Sequence, residues 1–499
     1  MKRFVAFLFF VVACFGFTAC ASPTEKEINK ASKNLTNYNL NITYENKTLD
    51  VEQNVDYVNS SDVNFDKIYF HLYPKAFAEG AKNKPVSNSN FEKAYPNGVS
   101  YGDITISSLK LNGETIEPVY LGDDKDILEV TTGGLKPNDR IKLDMSYKVV
   151  IPNCNHRFGY GENVINVANF YPIAAVYDDE WNLDPYNYNG DPFYSDVANY
   201  SVTLTSPKEL VVANTGEVVK QTSSGENNTY SIQAKAVRDW AFCMSDKFEV
   251  ISETYQNVNI KYYYYDDVSY TESLKTAVDS IKTFNKLFGV YPYSTFSVVK
   301  TNFVHGGMEY PNLVMISDAC NDYKDYQNVI IHETAHQWWY GLVGNNEFDY
   351  GWLDEGLTDY STALFYRENP DYGVEFKDVI KNTTNSYVTF VDVYTKVLNK
   401  VNPTEKLDTS MNRPLNAYKT EYEYVYIAYV KGVLLFDSLR ENCGDEKFLR
   451  ALSKYFETYK FQNVTPDHLV GVFEKTMSYD MKGFFNSWMD GKVVIYNVD

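Results

Sequence analysis

Two histidines four positions apart flank a glutamate in the stretch His332-Glu333-Thr334-Ala335-His336. On a helix, residues at i and i+4 project from one face, so both imidazoles aim at a common point and form a ready pair of zinc ligands. A catalytic zinc takes three protein ligands and keeps one position open. Glu355 is the third donor, in Trp352-Leu353-Asp354-Glu355-Gly356, after 18 intervening residues that leave room for a loop and a returning helix. One zinc per chain is therefore expected. Because zinc lowers the pKa of a bound water to about 7, Glu333 beside the ligand pair has the position of a general base. Asp359, one turn after Glu355, faces the same way and could orient a ligand histidine.

These residues need a helix-bearing scaffold, and the hydrophobic period locates one. From about 41 to 250 the chain alternates in short runs, such as Val51 to Val58, Ile68 to Leu72, Ile104 to Leu111 and Ile141 to Val150, with turn signals at Asn112-Gly113 and Gly133-Gly134. This half reads as all-β. After Tyr265 the period changes: Leu274, Val278, Ile281, Phe284 and Phe288 recur at helical spacing, and 251–499 reads as helix-rich. Strands are expected at Ser297 to Val299 and Leu313 to Ile316, and helices at Val329 to Leu342, Thr358 to Arg367, Val430 to Leu439 and Phe448 to Tyr455. Trp338, Trp339 and Trp352 read as packing around the metal helices.

The two histidines, their spacing to Glu355 and the Trp352 to Gly356 stretch together resemble the gluzincin family, which includes aminopeptidase N and leukotriene hydrolase. Two further segments carry the resemblance. Gly306-Gly307-Met308-Glu309-Tyr310, with Glu309 23 positions before His332, is similar to the family's G-x-M-E-N exopeptidase motif, and Tyr429-Val430-Lys431-Gly432 is similar to its Y-x-K-G segment. The resemblance implies a multidomain β plus α/β protein, with an N-terminal all-β domain followed by a thermolysin-like, helix-rich catalytic domain. It also implies a zinc aminopeptidase, with Gly306, Gly307, Met308 and Glu309 binding the free amino end of a peptide and Tyr429 donating to the reacting carbonyl oxygen. The chain departs from the family pattern in two places. Tyr310 stands where the motif has Asn, and the chain reaches only Asp499 after Tyr429, so the helical C-terminal domain of many relatives is expected to be missing and the site open. A second acidic or amide residue from the β half is sought within 169–181. The competing readings are a zinc endopeptidase with an open site and a non-catalytic anchored binding lipoprotein.

Composition bounds the partners. With 66 acidic against 46 basic side chains, the formal charge is -20, which excludes nucleic acid as a partner. The length calls for two domains. Lys2 and Arg3 precede an apolar run from Phe4 to Phe17, the layout of a signal peptide over 1–19, and Phe17-Thr18-Ala19-Cys20 resembles a bacterial lipoprotein signal. The expectation is export, with lipid on Cys20 at the outer face of the cell membrane, or secretion otherwise. The anchor would hold a tether over 20–40, a β domain over 41–250 and the peptidase domain over 251–499. Cys154, Cys243, Cys320 and Cys443 are too widely spread for a thiolate metal site and are expected to be free, although one disulfide is compatible with export.

Overall fold

In the computed structural model, which describes residues 22–404 and 406–495, helix α1 (Pro23–Ala31) is the first described element and lies within the stretch assigned to the tether. Ser22 caps it by accepting from the Glu25 amide. Lys460 pairs with Glu27 and Lys235 donates to Asn29, so α1 lies against the body. The signal and lipid-anchor readings on 1–20 fall outside the described residues. Among the described residues no helix is long and apolar enough to cross a membrane.

Strands Asn37–Glu45 and Thr48–Val58 show strict alternation of buried and open residues. Asn46 and Lys47, at φ 49° and 63°, form the two-residue turn whose twist suits a hairpin. Asn112 and Gly113 do the same between Leu111 and Glu114. Gly133 and Gly134, expected in a turn, instead form a bulge within strand Ile127–Leu135, where Thr132 reaches back to the Phe65 carbonyl. Their positive φ values serve the extra residues of the bulge and not a reversal of the chain. The largest sheet has eight strands, mostly antiparallel, with Asn37–Glu45 running parallel to Ala198–Pro207. The N-terminal half is β, as the alternation predicts.

The second half starts from a five-stranded sheet in the order Glu249–Tyr255, Val258–Tyr264, Thr295–Thr301, Leu313–Ser317, Gly307–Met308. Helix α2 (Tyr270–Leu287) crosses between two parallel strands and buries Leu274, Val278, Ile281 and Phe284, the residues whose spacing marked it. Each such side chain contributes about 1.5–3 kcal/mol on leaving water. Helices α3 (Tyr323–Ala335) and α4 (Trp352–Glu368) follow and pack against one another.

The chain then continues through α5 (Phe376–Val401), α6 (Lys431–Cys443), α7 (Asp445–Tyr459), α8 (Pro466–Met477) and α9 (Lys482–Met489). This corrects the expectation of a short lipoprotein-like form lacking its C-terminal helical domain: a full set of C-terminal helices is present. The expectation counted only the residues after Tyr429, whereas α5 precedes that tyrosine, buries Tyr387 and Phe390 and packs on α6, so that it joins the helices that follow. All four described cysteines are free, with Cys154 and Cys243 buried.

Candidate active site

Asp322 caps α3 by accepting from the amides of Lys324 and Asp325, which fixes the helix that ends on His332, Glu333 and Ala335. His332 and His336 present Nε2 atoms 3.1 Å apart. Glu355, on the first turn of α4, places Oε2 3.1 Å from His336 Nε2 and 3.4 Å from His332 Nε2. All three donor atoms lie within 4.8 Å of one another. The outer nitrogens are held by acceptors: His332 Nδ1 lies 2.8 Å from Asp359 Oδ1, and His336 Nδ1 lies 3.1 Å from the Trp339 carbonyl. Asp359 therefore sits where its spacing put it.

A ring nitrogen facing an acceptor carries the proton, so each neutral imidazole turns a bare Nε2 lone pair toward Glu355. Three lone-pair donors facing one another repel unless a cation lies among them. Two nitrogens held by tetrahedral zinc at about 2.0–2.1 Å are about 3.3 Å apart, close to the separation seen. The residues fit the metal. A proton can stand in for that cation: burial opposes ionisation of Glu355, yet with the imidazoles protonated the charge on His336 and hydrogen bonds from both histidines hold it down at about 2. Burial also opposes charge on His336, but Glu309 and Glu355 raise it to about 10, which marks the spot as one that favours positive charge.

Two close backbone approaches set the rest. A Cβ on Gly307 would stand 2.3 Å from Glu333 Oε1, so that glycine leaves the carboxylate its space. Gly356 and Gly432 meet where α4 meets α6: a Cβ on Gly432 would lie 2.5 Å from the Gly356 Cα. This contact brings Tyr429 against the metal residues, where its hydroxyl donates to Glu355 Oε1 and its ring stacks on His332 at 6.0 Å. Lys431, fully buried, donates to the carbonyls of Thr409 and Trp488 and so ties the segment to the chain's last helix.

Glu309 follows the edge strand Gly307–Met308 and is 3 % exposed, with Oε1 lacking any partner. Its carboxylate, Glu333 and His336 have donor atoms within 4.8 Å of one another. Burial pushes Glu309 well above the usual carboxylate range and lifts Glu333 to about 7, against the pull of the two histidines. Gly306, Gly307, Glu309, Glu333 and Tyr429 line one cleft of about 260 Å³ with the three metal donors, while Met308 is buried beside it.

Sequence reasoning missed Asp191 and Glu347, whose carboxylate atoms come within 4.8 Å of that of Glu309. Asp191 brings a carboxylate from the β half to the side of Glu309. It lies in the turn-forming run Asn189-Gly190-Asp191-Pro192 beyond the segment 169–181, and Arg157 pairs with it. Asn169 instead accepts from the Tyr310 hydroxyl and donates to Asp239 at 2.6 Å, so the residue replacing the motif's Asn anchors the strand end inside the β half. Arg238, buried, joins the parts: it donates to the carbonyls of Tyr340, Ser195 and Gln462 and to the Asn463 side chain. Tyr340 adjoins Trp339, whose carbonyl orients His336. Trp338, Trp339 and Trp352 are core, as read.

These features can be set beside known proteins. Residues 272–488 match the peptidase family M1 domain. Aminopeptidase M1-D of Oryza sativa subsp. japonica is 23% identical over 318 residues, covering 58% of this chain and 34% of its own. Aminopeptidase B of Rattus norvegicus is 27% identical over 228 residues, covering 42% and 33%. The chain thus spans about a third of the length of these curated relatives. Among solved structures, the M1 zinc metallopeptidase from Deinococcus radiodurans superimposes with a TM-score of 0.64 at 17% identity, over 93% of this chain and 95% of the other. A mutant of that protein bound to a Tyr-Ser-Ala substrate gives 0.63 at 17%, over 93% and 96%. The likeness establishes the fold, a β half followed by a helix-rich thermolysin-like half.

Proposed function

We propose that this chain is a zinc-dependent aminopeptidase that hydrolyses the N-terminal peptide bond of short peptides, with one zinc held by His332, His336 and Glu355. The observation that carries the reading is the adjacency of Glu309, unpartnered and buried, to Glu333 and His336. The α-nitrogen and the carbonyl carbon of a peptide's first residue are only about 2.5 Å apart. An enzyme that grips the amine and cuts the first bond therefore needs its anchor beside its base, which is the spacing found; an enzyme cutting internal bonds has no use for a buried anion there.

The metal, when bound, supplies a Lewis acid that polarises the carbonyl and acidifies a water. Glu333 takes the water's proton and later returns it to the leaving amine; burial, which lifts its pKa to about 7, suits a group that must both accept and give. Glu309 accepts hydrogen bonds from the α-ammonium, with Asp191 alongside, and so fixes how far the chain enters. Tyr429 releases Glu355 Oε1 and donates to the carbonyl oxygen as negative charge builds there. Gly306 and Gly307 leave backbone free beside the substrate, and the edge strand offers its main chain for pairing. Support comes from the family match over 272–488 and from the cleft's composition.

The test is a panel of amino-acid anilides and short peptides, free or N-acetylated, with zinc per chain measured in parallel. The expected result is one zinc and rapid turnover of free amines only. Equal cleavage of acetylated and free peptides at internal bonds would replace this reading by the endopeptidase one; stable folding with zinc and no turnover would leave a binding protein.

A further inference from the structure

A second cavity, of about 380 Å³, shares no lining residue with the cleft. It opens between strand Thr48–Val58 and the 194–198 stretch of the β half on one side and residues 461–465, between α7 and α8, on the other. Its size falls within the range of small-molecule sites. The walls are aromatic, with Tyr57, Phe65, Tyr177, Tyr194 and Phe461 among them. Two carboxylates, Asp178 and Asp196, are exposed into it, and no lysine or arginine lines it.

Acidic residues alone would mean little on a chain of this charge. The second observation is at the tyrosines. Tyr57 and Tyr194 are each 7% exposed, line the cavity, and have hydroxyls with no hydrogen-bond partner among the described residues. A tyrosine that buries its ring ordinarily finds a partner for its hydroxyl. Asp196 has a single partner, with the Asn463 amide donating to Oδ1 at 2.8 Å, and Oδ2 is unengaged. The Arg238 guanidinium lies close enough for its charge to act on Asp196 and Tyr194, but its donors go to three carbonyls and the Asn463 oxygen, and it makes no ion pair with Asp196. Free acceptors, free hydroxyls and aromatic faces, with no lysine or arginine on the lining, together describe a receptor for an ammonium group: carboxylates take its hydrogen bonds, and ring faces take its charge and its apolar body.

We propose that this cavity is a second ligand site, taking a small protonated amine carried on an aromatic or apolar body. The ammonium lies against Asp196 and Asp178, and the body packs among Tyr57, Tyr194 and Phe461. The site does not depend on the peptidase reading, because none of its residues belongs to the cleft.

The experiment titrates tyramine into the full-length, zinc-loaded protein carrying Glu309→Ala, which removes the amine anchor of the cleft, and follows binding by calorimetry. The expected result is saturable binding of one tyramine per chain. Asp196→Asn weakens it by about tenfold or more, Tyr194→Phe weakens it by a few-fold, and 3-(4-hydroxyphenyl)propionate, which exchanges the ammonium for a carboxylate, does not bind. Absence of saturable tyramine binding, unchanged binding in both variants, or equal binding of the propionate overturns the proposal. Near-UV circular dichroism checks each variant's packing; if Asp196→Asn is misfolded, Tyr194→Phe and the charge-reversed probe still decide the matter. Tyramine binding together with no peptidase activity in the zinc-loaded protein that retains Glu309 would sink the aminopeptidase reading alone.

Discussion

Glu355 and Glu309 face each other across a few ångströms of one cleft, are each only 3% exposed, and are opposites in their partners and their charge. Glu355 is surrounded by partners from the chain itself: two imidazoles approach one oxygen and the Tyr429 hydroxyl donates to the other. Burial is overcome, and the group is ionised down to about pH 2. Glu309 has an oxygen with no partner, acidic neighbours in Asp191 and Glu333, and a pKa forced well above its ordinary value by burial first and by those charges after it. Burial alone therefore does not say what a carboxylate is for. One is finished by its own fold, and the other, on the proposed reading, is left for a donor that arrives with the substrate.

The comparison breaks most visibly at the metal side. Glu333→Gln should keep about one zinc per chain while kcat falls by about 10²–10⁴, whereas Glu355→Ala should lose most of its zinc on dialysis against a chelator. Equal zinc retention in the two would dissolve the distinction between ligand and base. At the amine side, Glu309→Ala should cost roughly 30-fold to several-thousand-fold in kcat/KM on free substrates and bring the preference over N-acetylated ones near unity. An unchanged preference moves the anchor to Asp191 or Glu347. Tyr429→Phe should lower kcat about a hundredfold with zinc retained, since it deletes one donor to a developing charge. A near-normal kcat in that variant assigns the donor elsewhere.

The smallest effect sharpens the contrast away from the cleft. Asp239, 2% exposed, accepts from Asn169, Tyr171 and the Trp240 amide, yet burial still raises it to about 7. Its folded pKa lies above the unfolded value, so the folded state holds the extra proton between the two. Stability relative to Asp239→Asn should be greatest below about pH 4 and fall by up to about 1.4 kcal/mol per unit as pH rises toward 7. Denaturant midpoints at pH 4, 5.5 and 7 check this; a flat difference would mean the three donors fully compensate the charge.

What was legible in the sequence is what short-range geometry dictates. His332, Glu333 and His336 share one helical face by spacing alone, and Glu355 with Asp359 repeats the device on the next helix. The strands at Val51 to Val58 and Ile141 to Val150 followed from alternation, and α2 from its apolar period. Asp191 was not legible, because it reaches Glu309 through tertiary packing from an irregular turn that no periodicity marks. Helix α5 lies before Tyr429, outside the stretch from which the C-terminal helices were judged. The Gly356 and Gly432 contact could be seen as two motifs, but only the fold makes them one crossing.

The bonds of Arg238 mean that the molecule cannot be divided where its secondary structure changes. A fragment beginning at Glu249 would contain all three metal donors, the base and the tyrosine. It would lack the guanidinium that braces the Tyr340 carbonyl, one residue from the carbonyl that orients His336, and it would lack Asp191 and the Asn169 that grips Tyr310. The unit of heredity here is the seam. A β half exchanged for another would leave the Tyr340 carbonyl and the Tyr310 hydroxyl without these partners unless it brought a matching arginine and amide.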